Sequence, residues 1–481
     1  MTAADFIALL PLIIVAGTSV VAMLAIAIRR SHLLTLLLTL IGLAASFGSL
    51  WAAAGEAPRH VTPLLVVDRC ALFYMGLIAA ACFAVVLLSY GYFDKCKGQH
   101  EELYVLLLLA TLGSDVLVAS SHFASFFLGL EILSVSLYAL TAYLHERRIS
   151  IEAGIKYLVL AASSAAFLLF GMALIYADLG TMSFAQMAAR LSAPQNPSLP
   201  ILYTGMALLV TGIGFKLGVV PFHLWTPDVY EGAPAPVTAF VATVSKGSMF
   251  ALLLRYFYAY NWHQFRALYI VFSIIAIASM AAGNLLALLQ SNVKRILAYS
   301  SIAHLGYMLV AFLAGGSFAI QAVTFYLVAY FVTTLGSFGV VAVLSDGARE
   351  ADELGDYRGL FWRRPVLGTI FTLTLLSLAG IPLTAGFLGK FYIIAAGASS
   401  STWALIIILV LSSVIGLFYY LRIVVAIYSN LPRAAEEVRR EPFSLSLVGC
   451  YTLVVLAIAL VWFGVYPSQL LDLIRSAAGF G

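Results

Sequence analysis

Charged residues are scarce in this sequence. Of its 481 residues only 10% are charged and 63% are hydrophobic, and the mean hydropathy is +1.02. A soluble domain carries about 25% charged residues, and a net charge of +4 is too small to indicate a polyanionic partner. These values exclude a soluble enzyme, a disordered protein and a nucleic-acid-binding protein. They indicate a helical membrane protein with many spans, since one span needs about 20 apolar residues.

Cysteine is also rare. The sequence contains Cys70, Cys82, Cys96 and Cys450, and no CxxC pair. This spacing lacks the usual ligand patterns of zinc sites and iron–sulfur clusters. The dinucleotide-binding pattern GxGxxG and the phosphate-binding pattern GxxxxGK(S/T) are absent as well. If the chain takes part in redox chemistry, we expect the cofactors to lie in other chains.

Long apolar runs dominate the sequence. The first, residues 6–28, has Arg29 and Arg30 after it and no basic residue before it, which is the reverse of a signal peptide, so we expect an uncleaved span. Apolar runs bounded by charged or turn residues predict an all-α polytopic membrane protein with about fourteen transmembrane helices. The predicted spans are residues 6–28, 33–54, 70–93, 103–120, 122–143, 151–177, 201–220, 236–259, 267–289, 293–313, 317–343, 366–396, 402–428 and 445–467.

Basic residues are unevenly distributed between the predicted loops. With the N-terminus outside, fifteen fall on the inner side and five on the outer side. Inner loops carry an excess of lysine and arginine, so the bias predicts that both termini and the loop at 55–68 lie on the outer side of the membrane. The inner residues are Arg29, Arg30, Lys95, Lys97, Arg147, Arg148, Lys294, Arg295, Arg349, Arg358, Arg363, Arg364, Arg433, Arg439 and Arg440, and the outer residues are Arg59, Arg69, Arg190, Arg266 and Arg475.

Four charged residues lie deep inside predicted spans: Glu131, Lys216, Lys246 and Lys390. A charge at the bilayer centre costs at least about 2.5–3.5 kcal/mol. These side chains are therefore expected to face a polar interior rather than lipid. A structural role, such as a fixed partner for another charge, is the alternative for each of them.

Three further basic residues lie nearer to span ends. We expect Arg255 and Arg422 to extend their long side chains to the membrane interface. Lys156 lies one to two turns from the inner end of its span, so the same explanation is open for it.

Two spans contain helix-breaking residues beside a lysine. Glycines at 212, 214 and 218 and a proline at 221 surround Lys216, and a Gly-Ile-Pro sequence at 380–382 precedes Lys390. Such residues interrupt the hydrogen bonds of a helix. Interrupted backbone at membrane depth is tolerated only where protein or a wet cavity surrounds it. We therefore predict broken seventh and twelfth spans, with residues 226–234 as the second part of the seventh.

The same two regions belong to a weak internal repeat. Lys156-Tyr157-Leu158-Val159 aligns with Phe325-Tyr326-Leu327-Val328 at an offset of 169 residues, and the breaks lie five spans apart. An odd number of spans per repeat inverts the second copy in the membrane. Inverted repeats with discontinuous helices are typical of ion and solute translocators.

The motifs around these breaks resemble a known family. Residues 214–237, 292–307 and 378–382, with shorter matches at 131–133 and 359–362, are similar to the antiporter-like membrane subunits of respiratory complex I, the NADH:quinone oxidoreductase. The likeness extends over nearly the whole chain. It implies fourteen helices with two inverted five-helix repeats, at 99–262 (helices 4–8) and 263–430 (helices 9–13), preceded by helices 1–3 (1–98) and followed by helix 14 (431–481).

The resemblance also implies a proton-pumping role, coupled to electron transfer from NADH to quinone in other subunits, and a place in the bacterial inner membrane with both termini in the periplasm. It further implies a set of site residues. Glu131 and Lys216 would form a first half-channel pair, Lys246 a central link and Lys390 the second half-channel group for protons, with Lys156 and His304 as weaker candidates. The chain itself would hold no cofactor. NADH, flavin, iron–sulfur clusters and quinone would be bound by the other membrane and peripheral subunits of the complex, which include neighbouring antiporter-like subunits.

The residue types suit proton transfer. Burial in an apolar site favours a neutral amine and a nearby carboxylate favours a charged one, so Lys216 is expected to release its proton when Glu131 moves or is neutralised. Two other functions stay open at this point. A subunit of a cation/proton antiporter complex shares the motifs, and a membrane spacer that moves no ions is a third class, which the cost of the buried lysines disfavours.

Overall fold

Membrane-spanning helices make up most of the chain. A computed structural model describes residues 2–96, 98–192, 198–259, 262, 265–345, 349–430 and 446–477. Thirteen of its described helical segments are long and apolar enough to cross a membrane, and two shorter apolar helices, Pro365–Ala379 and Ala385–Ser399, form a fourteenth, broken span. The prediction of about fourteen helices is thus confirmed. Four basic residues used to predict sidedness, and part of the predicted C-terminal segment, lie outside the described residues: Lys97, Arg433, Arg439, Arg440 and 431–445.

The described helices are numbered in chain order. In the first half they are α1 (Ala3–Ala8), α2 (Leu10–Ile28), α3 (His32–Glu56), α4 (Arg69–Phe93), α5 (Glu102–Ala119), α6 (Phe123–Thr141), α7 (Arg148–Leu179), α8 (Phe184–Leu191), α9 (Leu199–Leu217), α10 (Trp225–Gly232), α11 (Ala235–Phe240) and α12 (Lys246–Tyr258). In the second half they are α13 (Arg266–Leu288), α14 (Val293–Ala314), α15 (Gly316–Leu344), α16 (Leu360–Arg363), α17 (Pro365–Ala379), α18 (Ala385–Ser399), α19 (Trp403–Tyr428), α20 (Leu447–Val465) and α21 (Ser468–Ala477). Strands β1 (Arg59–Thr62) and β2 (Leu65–Val67) form an antiparallel hairpin between α3 and α4.

Both predicted helix breaks are present. Helix α9 ends at Leu217, where Gly218 adopts a φ of 72°, and α10 begins only at Trp225. Helix α17 ends at Ala379, where Gly380 adopts a φ of 85°, and α18 begins at Ala385. Left-handed backbone of this kind favours glycine because a Cβ would be strained there. The prediction of broken seventh and twelfth spans is confirmed.

A third irregularity was not predicted. A π-helical turn, Val241–Ser245, separates α11 from α12 within one span, and Lys246 follows it directly. π-Turns inside helices are frequent at functional sites. No glycine or proline lies within this turn, so the sequence carries no local signal for it.

The lysine-bearing spans lie at the centre of the protein. Every residue of the most apolar stretch of the α11–α12 span and of α14 is buried. Helix α14 packs against α10, α13, α15 and α18. Apolar side chains cover the outward faces of peripheral helices such as α2, α7 and α20. Polar groups in the central spans are therefore shielded from lipid by the protein itself.

The prediction for Arg255 was wrong. Its side chain is buried, and its two terminal nitrogens donate to the carboxylate of Asp68, 2.7 and 2.8 Å away. Its Nε also donates to the Val118 carbonyl, 3.0 Å away. A bidentate pair of this kind satisfies both charges without contact with water. Arg422 likewise donates to backbone carbonyls, at Leu288 and Gln290, and does not extend freely outward.

Candidate functional site

Lys216 lies at the end of α9, next to the first break, and its side chain is buried. Its Nζ donates to Ser134 Oγ at 2.9 Å and to Tyr157 Oη at 3.0 Å. Helix α6 contributes Ser134 and helix α7 contributes Tyr157. The ammonium thus lies between three helices and is held by hydroxyl groups.

Glu131 is one helical turn from Ser134, so the two side chains lie on the same side of α6. It is half-buried, and exposed Leu128 and Val135 lie on either side of it along the helix. Within the described part of the chain the two groups form no ion pair; Lys216 instead donates to Ser134, one turn further along α6. The predicted pair is therefore near in space but not in contact.

Lys246 is the least exposed of the three buried lysines that were predicted. Its Nζ donates to Ser301 Oγ of α14 at 2.8 Å, and Tyr330 Oη of α15 donates to the same oxygen at 2.8 Å. The ammonium also lies 5.1 Å from the centre of the Tyr230 ring and 5.9 Å from that of Trp225. Cation–π contacts of this kind stabilise a charge in an apolar setting.

His304 continues the polar chain along α14. Its Nδ1 is 2.6 Å from Tyr326 Oη and its Nε2 is 3.1 Å from Tyr420 Oη, so both ring nitrogens are hydrogen-bonded. Its ring centre is 5.7 Å from that of Tyr330, the residue that shares Ser301 with Lys246. The histidine therefore lies directly beyond the Lys246 group.

Lys390 follows the second break. Its Nζ donates to the carbonyl oxygens of Leu378 and Ala379, both 2.9 Å away, and to Ser413 Oγ at 2.8 Å. These carbonyls end α17, where a positive charge is favourable. The ammonium also lies 5.3 Å from the centre of the Tyr307 ring, which contacts His304 at 5.4 Å between ring centres.

The structure thus brings four of the six predicted residues into one buried chain. Lys216, Lys246, His304 and Lys390 are connected through tyrosine, tryptophan and serine side chains, and Glu131 lies beside its first member. Among the described residues none of the three lysines forms an ion pair with a carboxylate. A buried charge without a partner of opposite charge is costly. Buried lysines that lack a carboxylate partner are therefore candidates for groups that change protonation.

Lys156 lies apart from this chain. Its side chain is 44% exposed, and its Nζ pairs with Glu152 at 2.7 Å and Asp228 at 2.8 Å. Asp228 also pairs with Arg295 at 2.9 Å. The lysine is therefore part of a partly exposed charge network around Asp228 of α10, and the structure does not bring it to the buried lysines.

A second buried ion pair was not predicted from the sequence. Lys294 pairs with Glu350 and donates to the carbonyls of Glu231 and Ala233, at 2.8 and 2.6 Å. Glu350 in turn accepts from the amide of Ala235 at 2.9 Å. The pair therefore joins the carboxyl end of α10 to the amino end of α11, each with the charge that its helix end favours. Both residues come from predicted loops or span ends, so only their contacts reveal the role.

The hydroxyl partners of the lysines were missed as well. Ser134 could have been found, since it lies three residues after Glu131 in the same helix. Tyr157 carries a weak signal, because it is one of the repeat-aligned positions. Ser301 and Tyr330 carry none, because serine and tyrosine are common in membrane helices. Within the described ranges no three histidine, cysteine or acidic residues are grouped closely enough to bind a metal ion.

The arrangement can pass protons rather than bind a large substrate. Amine, imidazole and hydroxyl groups each accept and donate protons or hydrogen bonds, and they follow one another from α9 to α18. Each ammonium group is in contact with protein atoms.

Comparison with known proteins identifies the family. The family model described as "NADH:quinone oxidoreductase/Mrp antiporter, TM" matches residues 120–416. The chain is 49% identical to NADH-quinone oxidoreductase subunit N of Ectopseudomonas mendocina (strain ymp), over 99% of this chain and 97% of the relative. It is 53% identical to the subunit of the same name from Nitrosospira multiformis, over 99% of this chain and 96% of the relative.

Solved structures show the same fold. A chain in the structure of respiratory complex I from Thermus thermophilus with bound aureothin has a TM-score of 0.82 and 33% identity, covering 98% of this chain and 100% of that chain. A chain of the Mrp complex from Dietzia sp. DQ12-45-1b has a TM-score of 0.85 at 20% identity, covering 99% and 97%. The second likeness shows the fold alone.

The predicted resemblance is confirmed by near-complete coverage at about half identity. The chain therefore belongs to the NADH:quinone oxidoreductase/Mrp antiporter family of membrane subunits and, within it, to the group of NADH-quinone oxidoreductase subunit N.

Proposed function

We propose that this chain translocates protons as a membrane-arm subunit of a bacterial NADH:quinone oxidoreductase. Electron transfer from NADH to quinone, carried out in partner subunits, would drive the movement. The observation that carries the proposal is the buried chain of three unpaired lysines, two of which lie directly at helix breaks. The names and near-complete coverage of the relatives support the redox complex as its setting.

Each predicted residue receives a role in this proposal. Glu131 and Lys216 form the first half-channel pair, with Ser134 between them. Lys246 passes the proton on to His304, and Lys390 exchanges it at the second half-channel. We assign Lys156 at most to the inner entrance, because its ion pairs hold it outside the buried chain.

The proposed inverted repeats explain the position of the two breaks. We infer four segments: helices 1–3 (1–98), a first repeat (99–262), a second repeat (263–430) and helix 14 (431–481). Tyr157 and Tyr326, which align at the 169-residue offset, bind Lys216 and His304 respectively. Equivalent tyrosines that contact titratable groups in both halves support a duplicated channel.

Two other functions are less well supported. A cation/proton antiporter subunit is compatible with the family model, which covers both kinds of complex, but the likeness to the Mrp complex shows the fold alone at 20% identity. A spacer that moves no ions would carry the cost of three buried ammonium groups without a use for them.

Co-purification tests the setting of the proposed function. We expect affinity purification of this chain from gently solubilised bacterial membranes to recover subunits that contain flavin and iron–sulfur clusters, together with other antiporter-like subunits and bound quinone. The measurement is the absorption spectrum and the subunit composition of the purified complex. Recovery of small antiporter subunits, without flavin or iron–sulfur absorption, would instead support the antiporter.

In the proposed orientation the chain lies in the bacterial inner membrane, and both of its termini face the periplasm. We expect a Thr2→Cys variant to react with a membrane-impermeant thiol reagent in intact spheroplasts, and a Glu146→Cys variant to react only after permeabilisation. Both positions are exposed at the surface of the chain. The unmodified chain, with two buried and two half-buried cysteines, is the control for background labelling. The opposite pattern would overturn the orientation.

A further inference from the structure

The buried ion pair between Lys294 and Glu350 has no part in the proposed path of the proton. Both side chains are buried, and that of Lys294 is fully enclosed. Taking two charges out of water is costly, and a buried ion pair often stabilises a protein less than apolar side chains of similar volume. Stability alone is therefore a poor explanation for this pair. Its contacts indicate a geometric role instead.

The two charges satisfy backbone groups at the joint between α10 and α11. The last carbonyls of one helix and the first amides of the next have no partner within their own helix. Lys294 Nζ donates to the carbonyls of Glu231 and Ala233, at 2.8 and 2.6 Å. Glu350 Oε1 accepts from the Ala235 amide at 2.9 Å. The ion pair thus connects the end of α10 to the start of α11.

Glu350 is itself fixed to other parts of the chain. Tyr92 Oη, near the end of α4, donates to Glu350 Oε1 at 2.5 Å. Arg147, directly before α7, has its guanidinium 3.9 Å from the same oxygen and donates to Tyr92 Oη at 3.3 Å. Lys294 adds the start of α14 to this group. The joint is therefore held from several elements at once.

The helices on either side of the joint carry the two parts of the Lys246 site. Helix α10 carries Trp225 and Tyr230, whose ring centres lie 5.9 and 5.1 Å from Lys246 Nζ. Lys246 itself follows α11 and the π-turn, eleven residues after Ala235. The angle between the two helices at the joint therefore sets the distance between the rings and the ammonium group.

These ring contacts are sensitive to small movements. Cation–π contacts extend to about 6 Å from the ring centre, and both rings lie within about 1 Å of that limit. Eleven residues of helix measure about 16 Å, so a rotation of about 5° at the joint would move the lysine by about 1 Å relative to α10. A displacement of this size is enough to break the Trp225 contact.

We propose that Lys294 and Glu350 are positioning residues whose ion pair fixes the angle between α10 and α11. This angle keeps the rings of Trp225 and Tyr230 against the Lys246 ammonium group. The inference rests on the proposed function and deepens it. In this role the pair exchanges no proton with Lys246 and acts only through the positions of the two rings.

A paired substitution in the assembled complex tests this role. The Lys294→Met/Glu350→Gln double variant removes both charges together, so that neither stays buried without its partner. We expect cryo-electron microscopy of the purified variant complex to show the two ring centres moved away from Lys246 Nζ by about 1 Å or more. We expect NADH-driven pumping to fall by about tenfold or more, since a misplacement of about 1 Å can cost about 10²-fold.

The buried ion pair between Arg255 and Asp68 provides the matched control. It is buried to a similar extent, and it joins the last turn of α12 to the start of α4, at the other end of the span from the joint. An Arg255→Met/Asp68→Asn double variant is expected to leave the ring distances unchanged and to pump at nearly the normal rate. The comparison removes effects that come only from the loss of a buried ion pair.

The two measurements give clear outcomes. Unmoved rings in the Lys294→Met/Glu350→Gln variant would overturn the inference, whatever its pumping rate. Displaced rings with normal pumping would overturn it as well, because the ring positions would then have no effect on proton transfer. Equal losses in the two double variants would point to a general packing defect and would reject the positioning role.

Further variants keep the inference separate from the proposed function. If the Lys294→Met/Glu350→Gln variant does not assemble, Lys294→Gln, which keeps an N–H donor at this position, is compared by the same two measurements. If Lys246→Ala pumps normally, the proposed function fails. If Lys246→Ala does not pump while the double variant does, only the positioning role is wrong.

Discussion

Replacing Lys216 by alanine is expected to lower NADH-driven proton pumping by about tenfold or more while the complex remains assembled, because a positioned proton-transfer group contributes about 10²–10⁴-fold. Its ammonium is buried and bonded only to Ser134 and Tyr157 among the described residues. Neither hydroxyl can replace an amine that takes up and releases a full charge. The measurement is the initial rate of proton uptake by vesicles at equal complex content.

Two matched variants make this result interpretable. Glu131→Ala is expected to impair pumping as well, since it removes the carboxylate one helical turn from Ser134, which accepts a hydrogen bond from Lys216. Lys95→Ala is the control, because Lys95 lies outside the spans and donates to the Ser345 carbonyl at 3.1 Å. Loss of assembly in both Lys216→Ala and Glu131→Ala, with no assembled but impaired complex, would favour a structural role instead.

Lys390 is expected to tolerate histidine far better than alanine or leucine. Alanine is expected to lower pumping by about tenfold or more, whereas histidine titrates near neutrality and can partly replace a proton carrier. A second role for Lys390 competes with this prediction, because the ammonium also donates to the two carbonyls that end α17. A fixed positive charge at that position would anchor the broken helix.

The two roles of Lys390 rank its substitutions in opposite order. If the residue carries protons, Lys390→His pumps best and Lys390→Arg poorly, since a guanidinium does not release its proton. If it only anchors α17, arginine is the best replacement and histidine a poor one. Pumping by the His, Arg and Ala variants, compared at equal assembly, separates the two. An arginine variant that pumps normally would reject the carrier role.

Features encoded within one segment could be predicted from the sequence. Glycines and a proline beside Lys216 and Lys390 disrupt the helix locally, and both breaks are present at Gly218 and Gly380. Apolar run length likewise predicts the spans, because each must cross the same thickness of lipid.

Features that depend on contacts between distant segments could not be predicted. Arg255 was expected at the interface, but Asp68, 187 residues earlier, binds it inside the protein. Lys294 and Glu350 are the same kind of case, since a loop residue pairs with a helix end. The hydroxyl partners of the lysines also come from other helices. A single sequence holds no record of which serine or tyrosine faces which amine.

The Lys216→Arg variant tests the central claim most directly. Arginine keeps a positive charge on a long side chain, so a role as a fixed charge is retained, but its guanidinium stays protonated. The measurement is the number of protons taken up per NADH oxidised by the purified complex in sealed vesicles. The account predicts an assembled complex whose pumping is lost or strongly reduced. Normal pumping with arginine at this position would contradict it.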